Sequence, residues 1–179
     1  MKKTVIVALF SLTIVSIFSF CKRPENHDIV LTSEINMEHQ ILNFESTKKE
    51  GNSHSGKYYS SVDSVSKYGV GYSFVIADSL KEKNLTIYVS GWVREEFSPI
   101  DGTIAVAIST SKGVAKWQEF VSKDNAYKPG QWTEINDSLT VQSSLLKDEF
   151  VEVSVFGFKQ KGSDKFDTDD IRIKYKFSK

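Results

Sequence analysis

The groups that could do chemistry in this chain are 23 carboxylates, three histidines and a single cysteine. Their spacing argues against most of it. Acidic pairs stand at Glu95-Glu96, Asp148-Glu149 and Asp169-Asp170. Glycoside hydrolysis needs two carboxylates facing each other across a cleft. Each of these pairs instead falls at the end of a strand-like segment, where a solvated turn accounts for it. His27, His39 and His54 are scattered, so a zinc or iron centre or a histidine-dependent triad lacks its residues. The lone Cys21 excludes a disulfide framework and any multi-cysteine metal site. No glycine-rich phosphate loop and no nucleophile elbow occurs. A polysaccharide lyase would want several arginines in one groove, and Arg94 and Arg172 are the arginines of the strand-rich region. The expectation is a protein that is not an enzyme. Equal numbers of basic and acidic side chains leave no net charge and argue against a nucleic-acid partner.

The elements that must position any site begin after a leader. Lys2 and Lys3 precede Thr4–Phe20, an uncharged apolar run without glycine or proline, which is the layout of a secretory signal. Residues 1–20 are therefore read as a signal peptide. Cys21 follows at once, in the place of the modified first residue of a bacterial lipoprotein, although Phe20 departs from the small residues usual there. Residues 21–35 are read as a tether, kept irregular by Pro24 and Asn26. An uncleaved signal anchor and plain secretion are the alternatives. All three export the domain, and the first predicts an outer-membrane lipoprotein of the cell envelope, held to the membrane by an N-terminal lipid.

From residue 36 to 179 the signal is β. Leu85, Ile87, Val89 and Val93 alternate with Thr86, Tyr88, Ser90 and Trp92. Val151, Val153 and Val155 alternate with Glu152, Ser154, Phe156 and Phe158, and Ile171, Ile173, Tyr175 and Phe177 with Arg172, Lys174 and Lys176. Period-two patterning of β-branched and aromatic residues predicts half-buried strands. Further strands are predicted at 40–44, 57–65, 72–76, 103–110, 115–121 and 131–136, separated by turn residues such as Lys128-Pro129-Gly130. No window of helical length shows a 3.6 period. Eight or nine strands without helices predict one all-β domain, a sandwich or jelly roll.

A series of short motifs then appears in order: Asn43-Phe44-Glu45-Ser46, Gly51, His54-Ser55-Gly56-Lys57-Tyr58, Ile87 to Arg94, Gly130-Gln131-Trp132-Thr133 and Asp167-Thr168-Asp169-Asp170-Ile171. This series resembles the calcium-containing, galactose-binding-like jelly-roll carbohydrate-binding modules that accompany many secreted glycoside hydrolases. The resemblance covers nearly the whole chain beyond the leader. It implies a structural calcium ion held by Glu45, Asp170 and Asp169, with carbonyls from the loop at 51–56, drawing the two ends of the domain together. Asp169 shares the parity of Ile171 and Ile173, which turns its carboxylate inward, where it needs a cation or donors. A solvated acidic turn is the alternative.

The resemblance also implies a glycan bound on the concave sheet, where sugar C–H faces stack on outward aromatics. Trp92, Phe156 and Phe158 have that parity, and Tyr88, Ser90, Arg94 and Gln160 would supply polar groups beside them. Where the family often has a tyrosine followed two residues later by an acidic group, this chain has Phe156 and Phe158. Trp117 and Tyr127 are further candidates at the rim, whereas Trp132 reads as a core anchor. Packing beneath loops is the alternative for all these aromatics. A structural envelope protein that meets a protein partner through the same face is the rival function.

Overall fold

A computed structural model describes residues 28–35, 45–97, 101–121, 127–161 and 164–179, with the backbone alone for 33–35 and 45. The expected leader, Cys21 and the strand predicted at 40–44 lie outside the described residues. The elements are β1 (Ile29–Ile35), β2 (Lys48–Glu50), β3 (Tyr58–Val62), β4 (Tyr68–Val75), β5 (Asn84–Glu95), β6 (Gly102–Thr110), β7 (Gly113–Phe120), β8 (Thr133–Val141), β9 (Val151–Lys159) and β10 (Phe166–Ser178). Three short 3-10 turns join them, and no α-helix occurs among the described residues.

The strands form two antiparallel sheets. One holds six strands in the order β2-β3-β10-β5-β8, with β1 also paired to β10, and the other four in the order β4-β9-β6-β7. The chain passes repeatedly from one sheet to the other, as in a jelly roll. The expected all-β sandwich is therefore the fold. Its alternating rows meet between the sheets: Leu85, Ile87, Val89 and Val93 of β5 and Ile171, Ile173 and Phe177 of β10 face Ile104, Val106 and Ile108 of β6 and the three valines of β9.

Two elements differ from expectation. Ile29–Ile35 is not an irregular tether but a strand, which pairs with β10 from Ile29↔Phe177 to Ile35↔Ile171. The sandwich thus begins at Ile29 rather than at residue 36. The last strand also starts at Phe166, five residues before its β-patterned stretch. Its first part, Phe166–Thr168, pairs with β3, and its second with β1, so two strands share one side of β10. Asp-Thr-Asp-Asp reads as a turn because aspartate is depleted in strands. Here each aspartate finds partners that hold it in the ladder.

Between the two halves of β10 lies a bulge. Asp169 is opposite Trp92 and Arg172 opposite Ser90, so Asp170 and Ile171 together face Gly91. Asp170 adopts φ +48°, the left-handed region that aspartate tolerates better than most residues. Gly91 fits because a Cβ there would lie 3.1 Å from the side chain of Ile171.

Candidate functional site

The bulge decides which way the acidic residues point. Phe166 and Thr168 face the core ahead of it, so Asp167 and Asp169 face outward, while beyond it Ile171 and Ile173 face the core. The expected parity between Asp169 and Ile171 is thus broken by one residue. Asp169 is 2% exposed all the same. It is covered from outside by the β2–β3 hairpin loop, whose Gly51 and Gly56 take φ values of +144° and +61° to fold it down.

The loop satisfies both carboxylates with donors. Asp169 Oδ2 accepts the backbone N–H groups of His54 at 2.9 Å and Ser55 at 3.2 Å, and Oδ1 that of Asp170 at 2.9 Å. Asp170 Oδ1 accepts the Ser55 hydroxyl at 2.8 Å, and Oδ2 lies 2.7 Å from His54 Nδ1. Burial pushes the Asp169 carboxyl up, with Asp170 adding to it, and the N–H bonds oppose the shift. Calcium needs oxygen ligands, several at once. All four carboxylate oxygens here meet N–H or O–H donors, or a ring nitrogen. Among the described residues no group of three or more histidine, cysteine or acidic side chains could hold a metal. Glu45 opens the turn Glu45–Thr47, and its side chain lies outside the described residues. Among the described residues, the donors around Asp169 and Asp170 therefore do not fit the calcium ion that the resemblance implies. Chelator is expected to leave the melting temperature unchanged, since an ion that does not bind the native state adds nothing by mass action. A drop of several degrees in a chelator-treated sample would show instead that the loop closes around a cation.

The same loop covers Trp92. The His54 ring lies flat on the indole, with centroids 3.9 Å apart and an interplanar angle of 11°. Arg94 is tied down beside it: Nε and Nη2 donate to Asp167 Oδ2 at 3.0 and 2.7 Å, and Nη1 donates to the Asn52 carbonyl at 2.7 Å. Its guanidinium also stacks over Trp132, 4.4 Å from the ring centroid. Trp132 is thus not an anchor between the sheets but part of this outer layer. Trp92 has the outward parity expected of it, yet its own chain occupies the stacking position.

Phe156 and Phe158 lie on the other sheet. Strand period fixes which face of its own strand a residue takes, but not which sheet that strand joins. The whole sandwich therefore separates Phe156 and Phe158 from Trp92, Tyr88 and Arg94, and no single face holds all five. Tyr88 is 41% exposed on the six-stranded sheet, beneath the Lys174 ammonium.

Phe156 and Phe158 instead form the floor of a trough on the outer face of the four-stranded sheet. Both are nearly buried, at 7% and 9% exposure, and cluster with Ala105 and Ala107 of β6. Tyr68 on edge strand β4 stands 5.6 Å from Phe156 and 5.4 Å from Phe158. Trp117 on edge strand β7 stands 5.7 Å from Phe156 and 5.0 Å from Phe158. These walls remain half-open to solvent, and the Trp117 indole N–H is fixed by a 2.7 Å bond to Glu119. The alanines keep the floor low between the walls. Gly71 brings β4 close, since a Cβ there would lie 2.6 Å from Phe156 Cβ. The resulting cavity of about 300 Å³ is edged by Tyr72, Ser73, Ser109, Glu152 and Ser154. Trp117 is thus the rim candidate that takes part. Tyr68 is not among the sequence candidates, because the expected strand starts at 72. The alternating glycines of Tyr68-Gly69-Val70-Gly71-Tyr72 are the signal that could have found it.

At one end of the sandwich the core rows finish in charge. Glu95 continues the inward parity of Val93, and Lys159 that of Val155 and Gly157. Glu95 is 1% exposed, and not part of a solvated acidic turn, while Lys159 is fully buried. The Lys159 ammonium bonds to Glu95 and Asp101 and lies 3.6 Å from Asp164. Tyr127, the other rim candidate, donates its hydroxyl to the Glu95 carbonyl. Burial works against the Lys159 charge, but its bonds to Asp101 and Glu95 outweigh it and hold its pKa above the ordinary value. One cation thereby fastens the loops after β5 and β9.

No protein-family model matches the chain, and no curated protein does. Among solved structures it is similar to the CBM22-1 xylan-binding domain of Xyn10C from Paenibacillus barcinonensis. The identity is 13% and the TM-score 0.44, over 74% of this chain and 80% of that one. The CBM22-2 xylan-binding domain of the same protein is similar at 16% identity and TM-score 0.46, over 71% and 86%. So is the VP2 subviral particle of infectious bursal disease virus, at 8% identity and TM-score 0.46, over 83% and 33%.

Proposed function

We propose that this chain is a non-catalytic glycan-binding module displayed at the bacterial cell envelope, and that the glycan lies in the trough on the four-stranded sheet. The supporting observation is the pair of aromatic walls, Tyr68 and Trp117, standing on opposite edge strands over a phenylalanine floor. Sugar rings present flat C–H faces to such walls, and tyrosine and tryptophan combine an apolar body with a polar handle. Ser73, Ser109 and Ser154 at the edge offer hydroxyl partners for ring hydroxyls. Among the described residues, the lining holds one carboxylate, Glu152, and no lysine, arginine or histidine. That composition favours a neutral glycan over a uronic or sulfated one. A single carboxylate also falls short of the pair that hydrolysis uses.

The export reading rests on the leader and Cys21: a lipid at Cys21 would hold the module to the membrane. The glycan reading is tested by retention of the protein on gels carrying neutral or acidic polysaccharides. Retention by neutral ones that soluble glycan reverses is expected. A stoichiometric protein partner recovered from membranes, with no glycan retained, would replace it with a protein-interaction role.

A further inference from the structure

The charged cluster at the end of the core rows holds the ingredients of an amide bond. Lys159 and Glu95 reach it from opposite sheets, and both side chains are fully buried. In the strand ladders Lys159 is level with Gly102 of β6, and Glu95 with Phe166 of β10. The buried Phe166 ring lies so close to Gly102 that no Cβ would fit there. An apolar ring thus packs against the strand ends that carry these groups. Asp101 immediately precedes Gly102, and its carboxylate meets the Lys159 ammonium. The Asp101 backbone N–H donates to Glu95 Oε2 at 3.2 Å, while Oε1 takes the ammonium. One buried carboxylate therefore stands against both an amine and a second carboxyl group.

That trio is arranged for condensation. Burial penalises separated charges, so passing one ammonium proton to Glu95 gives a neutral amine beside a neutral acid. A desolvated, neutral lysine amine is a nucleophile. Asp101 is the acceptor because its side chain is 45% exposed, which leaves a way out for the water released. Groups held in contact react as though present at about 10⁵ M or more, far beyond any concentration of free amine and carboxylate. The bonds that sustain the Lys159 charge make the proton transfer infrequent. The ion pair is accordingly the reactant, and the product accumulates slowly in the folded protein.

We infer that Lys159 and Asp101 join in an intramolecular amide bond, with Glu95 as the proton carrier. Lys159 Nζ gives a proton to Glu95, which passes it towards an Asp101 oxygen. Nζ then attacks Asp101 Cγ. The tetrahedral carbon expels that oxygen as water, which takes the Glu95 proton and a second one released from Nζ. One C–N bond forms, one C–O bond breaks, one water leaves and Glu95 returns to its starting state. The product replaces a buried charge with a neutral amide and closes residues 101–159 into a ring, which restricts the unfolded chain. This inference is independent of glycan binding, because the trough lies on the outer face of the four-stranded sheet.

The test is a tryptic digest of the full chain read by mass spectrometry, on protein taken fresh and after a week at room temperature. A branched peptide carrying Asp101 and Lys159, one water lighter than its two parts, is expected to grow in with time. Its fragments should place the link on Asp101. Asp101→Ala should remove it, and the half-open position of that side chain lets this variant fold. Glu95→Gln should slow its growth about 100-fold, the usual worth of a positioned proton carrier. A cooperative melting transition will confirm that each variant folds. Protein held unfolded in urea for the same week should give none. Absence of the branched peptide from the folded parent after the week overturns the inference and leaves an ion pair. So does a link placed on Glu95, an unchanged rate in Glu95→Gln, or equal formation in urea.

Discussion

Lys159→Met is expected to cost the fold about 3–5 kcal/mol, the usual consequence of removing one partner from a buried ion pair. The lysine is fully buried, with Glu95, Asp101 and Asp164 around its ammonium. Without it Glu95 is a buried carboxylate facing another. Lys159→Met combined with Glu95→Leu should recover much of the loss, because an apolar pair of similar volume extends the core rows instead of interrupting them. Urea unfolding midpoints measure both. A loss below about 1 kcal/mol for the single variant would mean that the cluster is no more than a surface pair. The same cluster sets a pH dependence. Burial pushes the Glu95 carboxyl up from its ordinary 4.5 to about 7, Lys159 opposing the shift and Asp101 adding to it. The folded state therefore binds this proton more tightly than the unfolded one. The stability tied to it is fully present below about 4.5 and is lost as pH rises through about 7. The melting temperature should fall between pH 5 and 8, and Glu95→Gln should flatten that slope. A parent protein that becomes more stable over this range would contradict the assignment.

Trp117→Ala should abolish retention on a neutral-glycan gel, a loss of about 30-fold or more if the indole is a hot spot of the site. The residue is 37% exposed, and its ring contacts are with Phe156 and Phe158, so the fold should survive its removal. Trp92→Ala makes the opposite prediction. Its ring supports His54 and the loop that covers Asp169, so its loss should lower the melting temperature and leave retention intact. If Trp92→Ala removes glycan binding and Trp117→Ala does not, the site belongs to the six-stranded sheet and the trough is only packing. Tyr68→Ala is a companion to Trp117→Ala, because the two walls face each other across one floor.

The sandwich was legible because its strands are long and strictly alternating. Leu85 to Val93 and Ile171 to Phe177 declare a buried face without help from their neighbours. Alternation says nothing about which strands become partners, so Phe156 and Trp92 could be given a face but not a common sheet. It also fails at a bulge. Asp169 is buried as its parity with Ile171 suggests, but the extra residue at Asp170 turns it to the outer face, beneath a loop. The inward row of β5 does extend to Glu95, yet a charged residue at a strand end reads as solvent-facing, and only its meeting with Lys159 makes burial tolerable. Ile29–Ile35 is apolar enough for a strand. Its partner lies at the far end of the chain, which no local pattern reveals.

The Asp170 bulge also bears on how this protein can change over evolutionary time. With a side-chain period of two, losing a single codon at the bulge would invert one half of β10 relative to the other. Either Arg172, Lys174 and Lys176 would be driven between the sheets or Phe166 and Thr168 expelled from them. The gene can therefore accept substitutions along this strand far more readily than any change in its length, and indels should collect in the loops while the count from Phe166 to Phe177 stays fixed.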